Sequence, residues 1–194
     1  MSVDLLLKLI VVVSLVVFRI YWLVAEQRAY HNLPLTSKRR YRLMRIFRIL
    51  EGGFYGVTLL MLAGFDPLRF TPTIFSYFAG YVIFYAGIAV ALAGRMALGN
   101  NWTHMIDYQI KHEQKLVTHG IFTYIRHPMY SGFIAIFTGL FIVMASWIYV
   151  PVFFLLTTYI FSQAKKEEYL LARHFGKEYL RYIHHSKMFI PFAF

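Results

Sequence analysis

Two short groups of polar residues interrupt a strongly apolar chain near its C-terminal end. The segment YIRHPMYSGF places Arg126, His127 and Tyr130 at the front of the longest stretch without a charged residue. Glu167 and Glu168 follow the end of that stretch. Guanidinium, imidazole and carboxylate groups together can hold a charged ligand, but they can also anchor helix ends by ion pairing at the membrane boundary. The residue types alone leave both roles open.

Several common catalytic chemistries have no support in the sequence. The chain contains no cysteine, which excludes disulfides, thiolate nucleophiles and thiolate metal sites. Its eight histidines lack the His-x-x-x-His and His-x-x-His-His spacings of membrane di-iron enzymes, so we expect no metal site. No Walker loop, Gly-x-Gly-x-x-Gly turn or Gly-x-Ser-x-Gly elbow occurs. Any cofactor must therefore be held by helix ends and their loops.

The composition is typical of a membrane protein. Hydrophobic residues make up 59% of the 194 positions and charged residues only 15%, whereas about a quarter of a soluble domain is charged. Runs close to the roughly 20 apolar residues of a spanning helix occupy residues 5–24, 46–65 and 70–94. Residues 128–164 carry no charge and suit two short spans. We predict an all-α, polytopic integral membrane protein of about five transmembrane helices, forming one domain over residues 1–194.

The net charge of +11 is concentrated in three segments of the chain. Basic residues follow the first, third and fifth predicted spans, whereas Arg69 alone lies in an opposite loop. Five spans place the three basic segments on one side, which the positive-inside rule makes the cytoplasm. We therefore expect an integral cell-membrane protein whose active site faces the cytoplasm. Its partners would include the lipid bilayer, and we expect no nucleic-acid partner.

The last two predicted spans should form a tight helical hairpin. Residues 146–151 supply interfacial aromatic residues and a helix-starting proline, with Tyr149 near the apex. Tyr130 and Glu168 each lie nineteen residues from Tyr149, which is about 28 Å along a helix at 1.5 Å per residue. The antiparallel helices should therefore bring the two polar groups together on one side of the membrane.

Local sequence patterns also predict helix contacts and helix ends. Gly52 and Gly56 have the small-xxx-small spacing that lets two helices approach closely, so we expect them to pack against a neighbour. Thr71 and Pro72 have the form of an N-cap followed by a first-turn proline, which predicts the start of the third helix.

Three motifs resemble those of one enzyme family. The segments LVTHGIFTYIRHPMYSGF, EEYLLARHFGKEYLRY and FIPF, within residues 101–192, are similar to the C-terminal half of the isoprenylcysteine carboxyl methyltransferases. The length, the five predicted spans and the cytoplasmic C-terminus also resemble a prokaryotic, archaeal-type member. Phospholipid methyltransferases and sterol reductases share a similar Arg-His-Pro-x-Tyr element. The N-terminal half carries no motif that matches.

The resemblance implies that S-adenosylmethionine binds between the loop before the fourth span and the end of the fifth, with S-adenosylhomocysteine as product. By the family pattern, eight residues bind the cofactor: Gln114, Lys115, Leu116, Val117, Phe122, His127, Tyr130 and Glu168. The first five correspond to positions around the adenosine. His127 and Tyr130 correspond to positions at the amino-acid end.

The resemblance also implies two catalytic residues. Glu167 matches a family carboxylate near cofactor and substrate. The family places an arginine one helical turn earlier, where this chain has Gln163, so Arg173 is our substitute as the anchor of the substrate carboxylate. The implied reaction transfers a methyl group to the C-terminal carboxylate of a prenylated cysteine or a similar lipophilic substrate.

Three other functions stay open: phospholipid N-methylation, NADPH-dependent reduction of the sterol-reductase type, and non-catalytic lipid binding. A terminal carboxyl, with a pKa of about 3.5, is already ionised at neutral pH and needs no general base. Amine methylation would require removal of a proton, for which His127 and His119 are the candidates.

Overall fold

The computed structural model describes residues 2–30, 38–102 and 114–191. These residues form α-helices joined by loops and two short 3₁₀ turns, without a β-strand in the described ranges. The helices are α1 Val3–Tyr30, α2 Lys38–Leu62, α3 Ile74–Leu98, α4 Pro128–Met144, α5 Tyr149–Phe175 and α6 Lys177–His185. The predicted all-α class is confirmed.

The predicted number of five spans is not established by helix length and composition. Within the described ranges, α3 is the helix that is long and apolar enough to cross a membrane, and α4 is apolar but only 17 residues long. Charged residues interrupt α1 and α2, where Arg19 Nη2 donates a 3.0 Å hydrogen bond to Glu51 Oε2. This ion pair joins α1 to α2. Its charged side chains lower the mean hydropathy of both helices although they are paired with each other.

Glycines on both helices bring α3 and α4 into close contact. A Cβ atom on Gly132 would lie 2.6 Å from the carbonyl oxygen of Gly87, and a Cβ atom on Gly139 would lie 2.6 Å from that of Gly80. At the next contact, a Cβ atom on Gly94 would lie 2.8 Å from Pro128 Cγ. The backbones of the two antiparallel helices therefore touch along most of the length of α4, as small residues permit in membrane helix packing.

The expectation that Gly52 and Gly56 pack against a neighbouring helix was wrong. A Cβ atom at either position would meet no atom within 4 Å, because both glycines face open space on α2. The close contact is made instead by α3 and α4, whose glycines recur every seven residues. That spacing also keeps small residues on one helical face.

The third helix begins later than predicted. Thr73, and not Thr71, is the N-cap of α3, and its Oγ1 accepts a 3.1 Å hydrogen bond from the backbone N–H of Ser76. Ser76 Oγ in turn accepts a hydrogen bond from the Thr73 backbone N–H, at 2.9 Å. This reciprocal capping box satisfies two N–H groups and outweighs the preference for proline in the first turn.

The turn between α4 and α5 lies where the hairpin prediction placed it. Helix α4 ends at Met144 and α5 begins at Tyr149, so the apex comprises residues 145–148. Two side-chain hydrogen bonds join this end to the preceding part of the chain: Ser146 Oγ donates to Asp66 Oδ1 at 2.9 Å, and the hydroxyl groups of Thr58 and Tyr149 lie 2.9 Å apart. The hairpin therefore returns α5 toward the beginning of α4.

Candidate active site

The polar site is built at the start of α4, where a backbone clamp holds the chain. His127 is the N-cap of α4 and Pro128 opens the helix, a favoured first-turn position. The backbone N–H groups of Arg126 and His127 donate to the carbonyl oxygens of Lys187 at 2.8 Å and Met188 at 3.1 Å. Lys187 N–H donates back to Tyr124 O at 2.9 Å. We call residues 186–190 the tail segment, since it fixes the entry to α4.

Arg126 joins three parts of the site. Its Nε donates a 2.7 Å hydrogen bond to Glu168 Oε1 on α5, and the two side chains are only 10% and 13% exposed. Its Nη1 donates to the carbonyl oxygen of Ser186 and, at 3.4 Å, to that of Ile183. Of the two roles that the sequence left open, Arg126 therefore has that of an anchor between α5, α6 and the tail segment.

The His127 ring lies next to the carboxylates of Glu167 and Glu168. Its Nδ1 is 3.5 Å from Glu167 Oε2 and its Nε2 is 3.5 Å from Glu168 Oε1. The ring stacks on Tyr130, with centroids 5.4 Å apart, and contacts Phe189 of the tail segment at 5.9 Å. The contact at Nε2 lacks hydrogen-bond geometry, so this buried nitrogen has no hydrogen-bond partner among the described residues.

The two glutamates differ in their electrostatic environment. Burial and the adjacent Glu168 charge raise the pKa of Glu167 to about 8. Burial would also raise the pKa of Glu168, but contacts with His127 and Arg126 lower it to about 2. Burial lowers the pKa of His127, with Glu168 opposing that effect. At neutral pH the site therefore combines a neutral imidazole, an ionised Glu168 and a Glu167 that retains much of its proton.

Glu167 is the carboxylate that is available to a ligand. Its side chain is 29% exposed, compared with 13% for Glu168. No lysine or arginine of the described ranges lies within ion-pair distance of Glu167, whereas Glu168 is held by Arg126. A cation placed beside Glu167 would stabilise its ionised form and lower its pKa.

Of the other predicted cofactor residues, Leu116 and Phe122 lie beside α6. Gln114 is half-buried, and the backbone N–H of Lys115 donates to Asn101 Oδ1 at 2.9 Å. Val117 is buried. Leu116 lines an open groove of about 300 Å³, whose remaining described lining residues are Thr118, Glu178, Arg181, Tyr182 and His185.

Helix α6 connects this groove to the carboxylates. Phe122 is buried, and its carbonyl oxygen accepts a 2.7 Å hydrogen bond from the Tyr182 hydroxyl, so Tyr182 contacts the loop that precedes α4. Ile183, the next residue, bonds to Arg126. The predicted adenosine side and the predicted amino-acid side thus lie against neighbouring residues of one short helix.

Arg173 is the predicted site residue that the structure does not bring into contact with the other described ones. It is exposed on α5, and its guanidinium lies 5.7 Å from the ring centroid of Tyr169. It lies six positions after Glu167, which corresponds to about 9 Å along the helix axis and to a different face. Its role as the anchor of a substrate carboxylate stays a prediction.

Sequence reasoning missed the part played by Phe189 and Ser131. Ser131 Oγ donates a 2.6 Å hydrogen bond to the Phe189 carbonyl oxygen, which holds the Phe189 ring against His127. The motif FIPF marked this segment, but nothing in its residue types indicates which helix it contacts. Among the described residues there is no group of three or more His, Cys, Asp or Glu side chains that could hold a metal ion.

Comparison with known proteins assigns the chain to a family. The sequence model of the phospholipid methyltransferases matches residues 75–178, which is more than half of the chain and includes α4, α5 and the start of α6. The chain therefore belongs to the phospholipid methyltransferase family.

Several curated relatives carry one more specific name. Protein-S-isoprenylcysteine O-methyltransferase A of Arabidopsis thaliana is 26% identical over 186 residues, which cover 93% of this chain and 90% of the relative. A probable protein-S-isoprenylcysteine O-methyltransferase of Oryza sativa subsp. japonica is 29% identical over 119 residues, 61% of this chain and 62% of the relative. The human protein-S-isoprenylcysteine O-methyltransferase is 28% identical over 58% of this chain and 40% of its own length. The resemblance found in the motifs is confirmed.

A solved structure shares the fold. The eukaryotic intramembrane Ras methyltransferase, an isoprenylcysteine carboxyl methyltransferase, matches with a TM-score of 0.56 at 21% identity. The match covers 87% of this chain and 60% of the solved chain. This protein therefore spans about three fifths of the length of that relative.

Proposed function

We propose that this protein is an S-adenosylmethionine-dependent carboxyl O-methyltransferase, formed as a single membrane-embedded domain. Its substrate is the C-terminal carboxylate of a prenylated cysteine or a similar lipophilic acid. The family and the names of the relatives support methyl transfer and this substrate class. The observation that carries the proposal is the pairing of His127 with Glu167 at the end of the hairpin, where His127 Nδ1 and Glu167 Oε2 lie 3.5 Å apart.

The proposal includes five spans, α1 to α5, and a site that faces the cytoplasm. Basic residues are concentrated at the ends of α1, α3 and α5 that this topology places on one side. The His127 and Glu167 groups lie just outside the charge-free residues 128–164. A substrate with a hydrophobic tail and a polar reacting end fits a site at the membrane boundary, because its tail stays in lipid while its carboxylate reaches the polar loops.

The described residues fit a sulfonium cofactor that carries an ammonium and a carboxylate. Glu167 lacks a lysine or arginine partner in the described ranges and has a raised pKa, so a cation beside it gains from ionising the carboxylate. His127 lies beside this carboxylate, with its Nδ1 3.5 Å from Glu167 Oε2. In the proposal His127, Tyr130 and Glu168 form the amino-acid side.

The adenosine side lies along the neighbouring groove. The proposal assigns it to residues 114–117 and to Phe122; of these, Leu116 lines the groove and Phe122 accepts a hydrogen bond from Tyr182 of α6. When bound, S-adenosylmethionine supplies an electrophilic methyl group, and S-adenosylhomocysteine is released.

The chain's own residues contribute position and desolvation. The substrate carboxylate, with a pKa of about 3.5, is ionised before it binds, so no residue has to accept a proton. Arg126 and the tail segment hold Glu168 and His127 in place. Holding two reactants in line contributes about 7 to 11 kcal/mol to such reactions. Arg173, which has no ion-pair partner among the described residues, is the proposed carboxylate anchor.

A second candidate, phospholipid N-methylation, is favoured by the description of the family model. It would require a residue that accepts a proton from an amine. The raised pKa of Glu167, about 8, would suit that role. The two candidate functions therefore assign different roles to Glu167: it stabilises the cation of the cofactor in the first and accepts a proton in the second.

One assay separates the candidates. Purified protein is given S-adenosylmethionine with a tritiated methyl group and either N-acetyl-farnesylcysteine or phosphatidylethanolamine. We expect base-labile methyl ester on the farnesylcysteine, and Glu167→Ala should abolish it while the folded protein remains extractable. Label in a base-stable phospholipid product would replace the first proposal with the second, and labelling by Glu167→Ala at the full rate would remove Glu167 from the mechanism.

A further inference from the structure

A second cavity lies on the other side of α4, between the C-terminal ends of α1 and α3. It has a volume of about 430 Å³, and its described lining residues are Tyr21, Val24, Ala25, Arg95, Met96 and Gly99. Arg95 follows directly after the charge-free residues 70–94 and supplies the one charge in this lining. Gly94 contacts Pro128, so the cavity is at the same end of the helices as the carboxylates.

Two contacts hold the Arg95 side chain in position beside the cavity. Its guanidinium carbon lies 4.5 Å from the ring centroid of Trp102, and its Nη1 donates a 3.1 Å hydrogen bond to the carbonyl oxygen of Gly99. Its Nε is buried without a hydrogen-bond partner among the described residues. Arg95 itself lines the cavity, so its guanidinium supplies a positive charge that attracts an anionic oxygen entering there.

The walls of the cavity indicate what kind of molecule carries that oxygen. Val24 and Met96 are 40% and 70% exposed, and both are apolar. An apolar wall that opens outward beside a cation at the end of an apolar helix matches a molecule with an anionic head and a hydrocarbon tail. Basic residues at this level attract the anionic lipids of the cytoplasmic leaflet.

We propose that the Arg95 cavity binds the phosphate of an anionic membrane lipid, at a site separate from the methyl-transfer site. The two sites lie on different faces of α4: glycines pack one face against α3, while His127 and Tyr130 contact the α5 side and the tail segment. The lipid therefore serves as a fixed ligand of the fold and is not the methyl acceptor. The proposal rests on the membrane placement given above, but not on the identity of the substrate.

Tryptophan fluorescence can test this site directly. The chain has three tryptophans, and Trp147→Phe would leave Trp102 and Trp22, whose rings lie 6.0 Å apart beside Arg95. The protein is reconstituted in phosphatidylcholine vesicles that contain a small, equal fraction of brominated phosphatidylglycerol or brominated phosphatidylcholine. Bromine quenches nearby tryptophan, so the difference between the two lipids reports selective binding of the acidic headgroup.

We expect stronger quenching by the acidic lipid, corresponding to about fivefold local enrichment, as one basic side chain at an anionic surface would give. Arg95→Gln should remove the difference. Arg48→Gln, which removes an equal charge from the exposed surface of α2, should keep it. Arg95→Lys should keep part of it, and circular dichroism would verify that each variant is folded.

Three results would overturn the proposal. Equal quenching by both lipids would show that the cavity does not select the anionic headgroup, and a difference that persists in Arg95→Gln would place the lipid elsewhere. Loss of the difference on addition of inorganic phosphate at millimolar concentration would assign the site to free phosphate instead. A difference that withstands phosphate supports the lipid. None of these results depends on methyl transfer, which is assayed separately.

Discussion

Arg126 Nε donates a 2.7 Å hydrogen bond to Glu168 Oε1, although 42 positions separate the two residues in the chain. The bond crosses from the start of α4 to the far part of α5, and Arg126 also bonds to the carbonyl oxygens of Ile183 and Ser186. The ion pair thus fixes the relative positions of two helices and the tail segment. The arrangement of His127 over the carboxylates depends on it.

Breaking this ion pair should destabilise the protein. Arg126→Gln would leave the largely buried Glu168 without the cation that hydrogen-bonds to it, and removing one partner of a buried ion pair costs about 3 to 5 kcal/mol. We expect a lower midpoint of thermal unfolding in detergent. Lys177→Gln, on the exposed surface of α6, is the matched control and should leave the midpoint unchanged. An unchanged midpoint in Arg126→Gln would contradict the anchoring role.

The stability of the ligand-free protein should depend on pH through Glu167. The folded pKa of about 8 lies above the ordinary value of 4.5, so the folded protein holds this proton more tightly than the unfolded chain. The stabilisation is full below pH 4.5 and is lost as pH rises toward 8, with a slope of at most about 1.4 kcal/mol per pH unit. Glu168, with a folded pKa of about 2, contributes stability that is lost only as pH falls from 4.5 toward 2.

Thermal unfolding at several pH values would measure this effect. Glu167→Gln should flatten the decline between pH 4.5 and 8, because glutamine does not titrate. Glu178→Gln on α6 is the control and should leave the decline in place. The same slope in wild type and Glu167→Gln would show that another group is responsible.

His127→Phe should separate binding from folding. Phenylalanine keeps an aromatic ring against Tyr130 and Phe189 but lacks the ring nitrogens. We expect roughly tenfold weaker binding of S-adenosylmethionine, since a hydrogen bond contributes about 0.5 to 1.5 kcal/mol. Titration calorimetry on the purified protein would measure the dissociation constant. Tyr169→Phe, at an exposed position of α5, serves as the control, and wild-type affinity in His127→Phe would remove the imidazole from the cofactor site.

A pair of alanine substitutions tests the packing of α3 on α4. Gly132→Ala would place a Cβ atom 2.6 Å from the Gly87 carbonyl oxygen, an overlap that should cost about 1 to 3 kcal/mol. Gly56→Ala meets no atom within 4 Å, and alanine favours a helix over glycine by up to about 1 kcal/mol. Thermal midpoints should therefore shift in opposite directions. Equal shifts would mean that the two helices are not in backbone contact.

The sequence predicted those features that depend on helical periodicity. The charge-free length of residues 128–164 and the aromatic turn near Tyr149 were enough to place Glu168 beside the start of α4. The partner of Arg126 and the tail-segment clamp could not be predicted, because backbone hydrogen bonds leave no trace in residue types. The prediction that Gly52 and Gly56 pack against a neighbouring helix failed for a related reason. The spacing of small residues indicates that a close approach is possible, but it does not indicate which helix makes one.

The clamp at the entry to α4 also has consequences for how this region can vary. Its hydrogen bonds join the peptide groups of Arg126 and His127 to those of Lys187 and Met188, and every amino acid except proline carries both the donor and the acceptor. The exposed Lys187 could therefore be replaced by almost any other amino acid without loss of these backbone hydrogen bonds. Proline at position 187 would remove the N–H group that donates to the Tyr124 carbonyl oxygen. The position therefore excludes proline but requires no particular side chain.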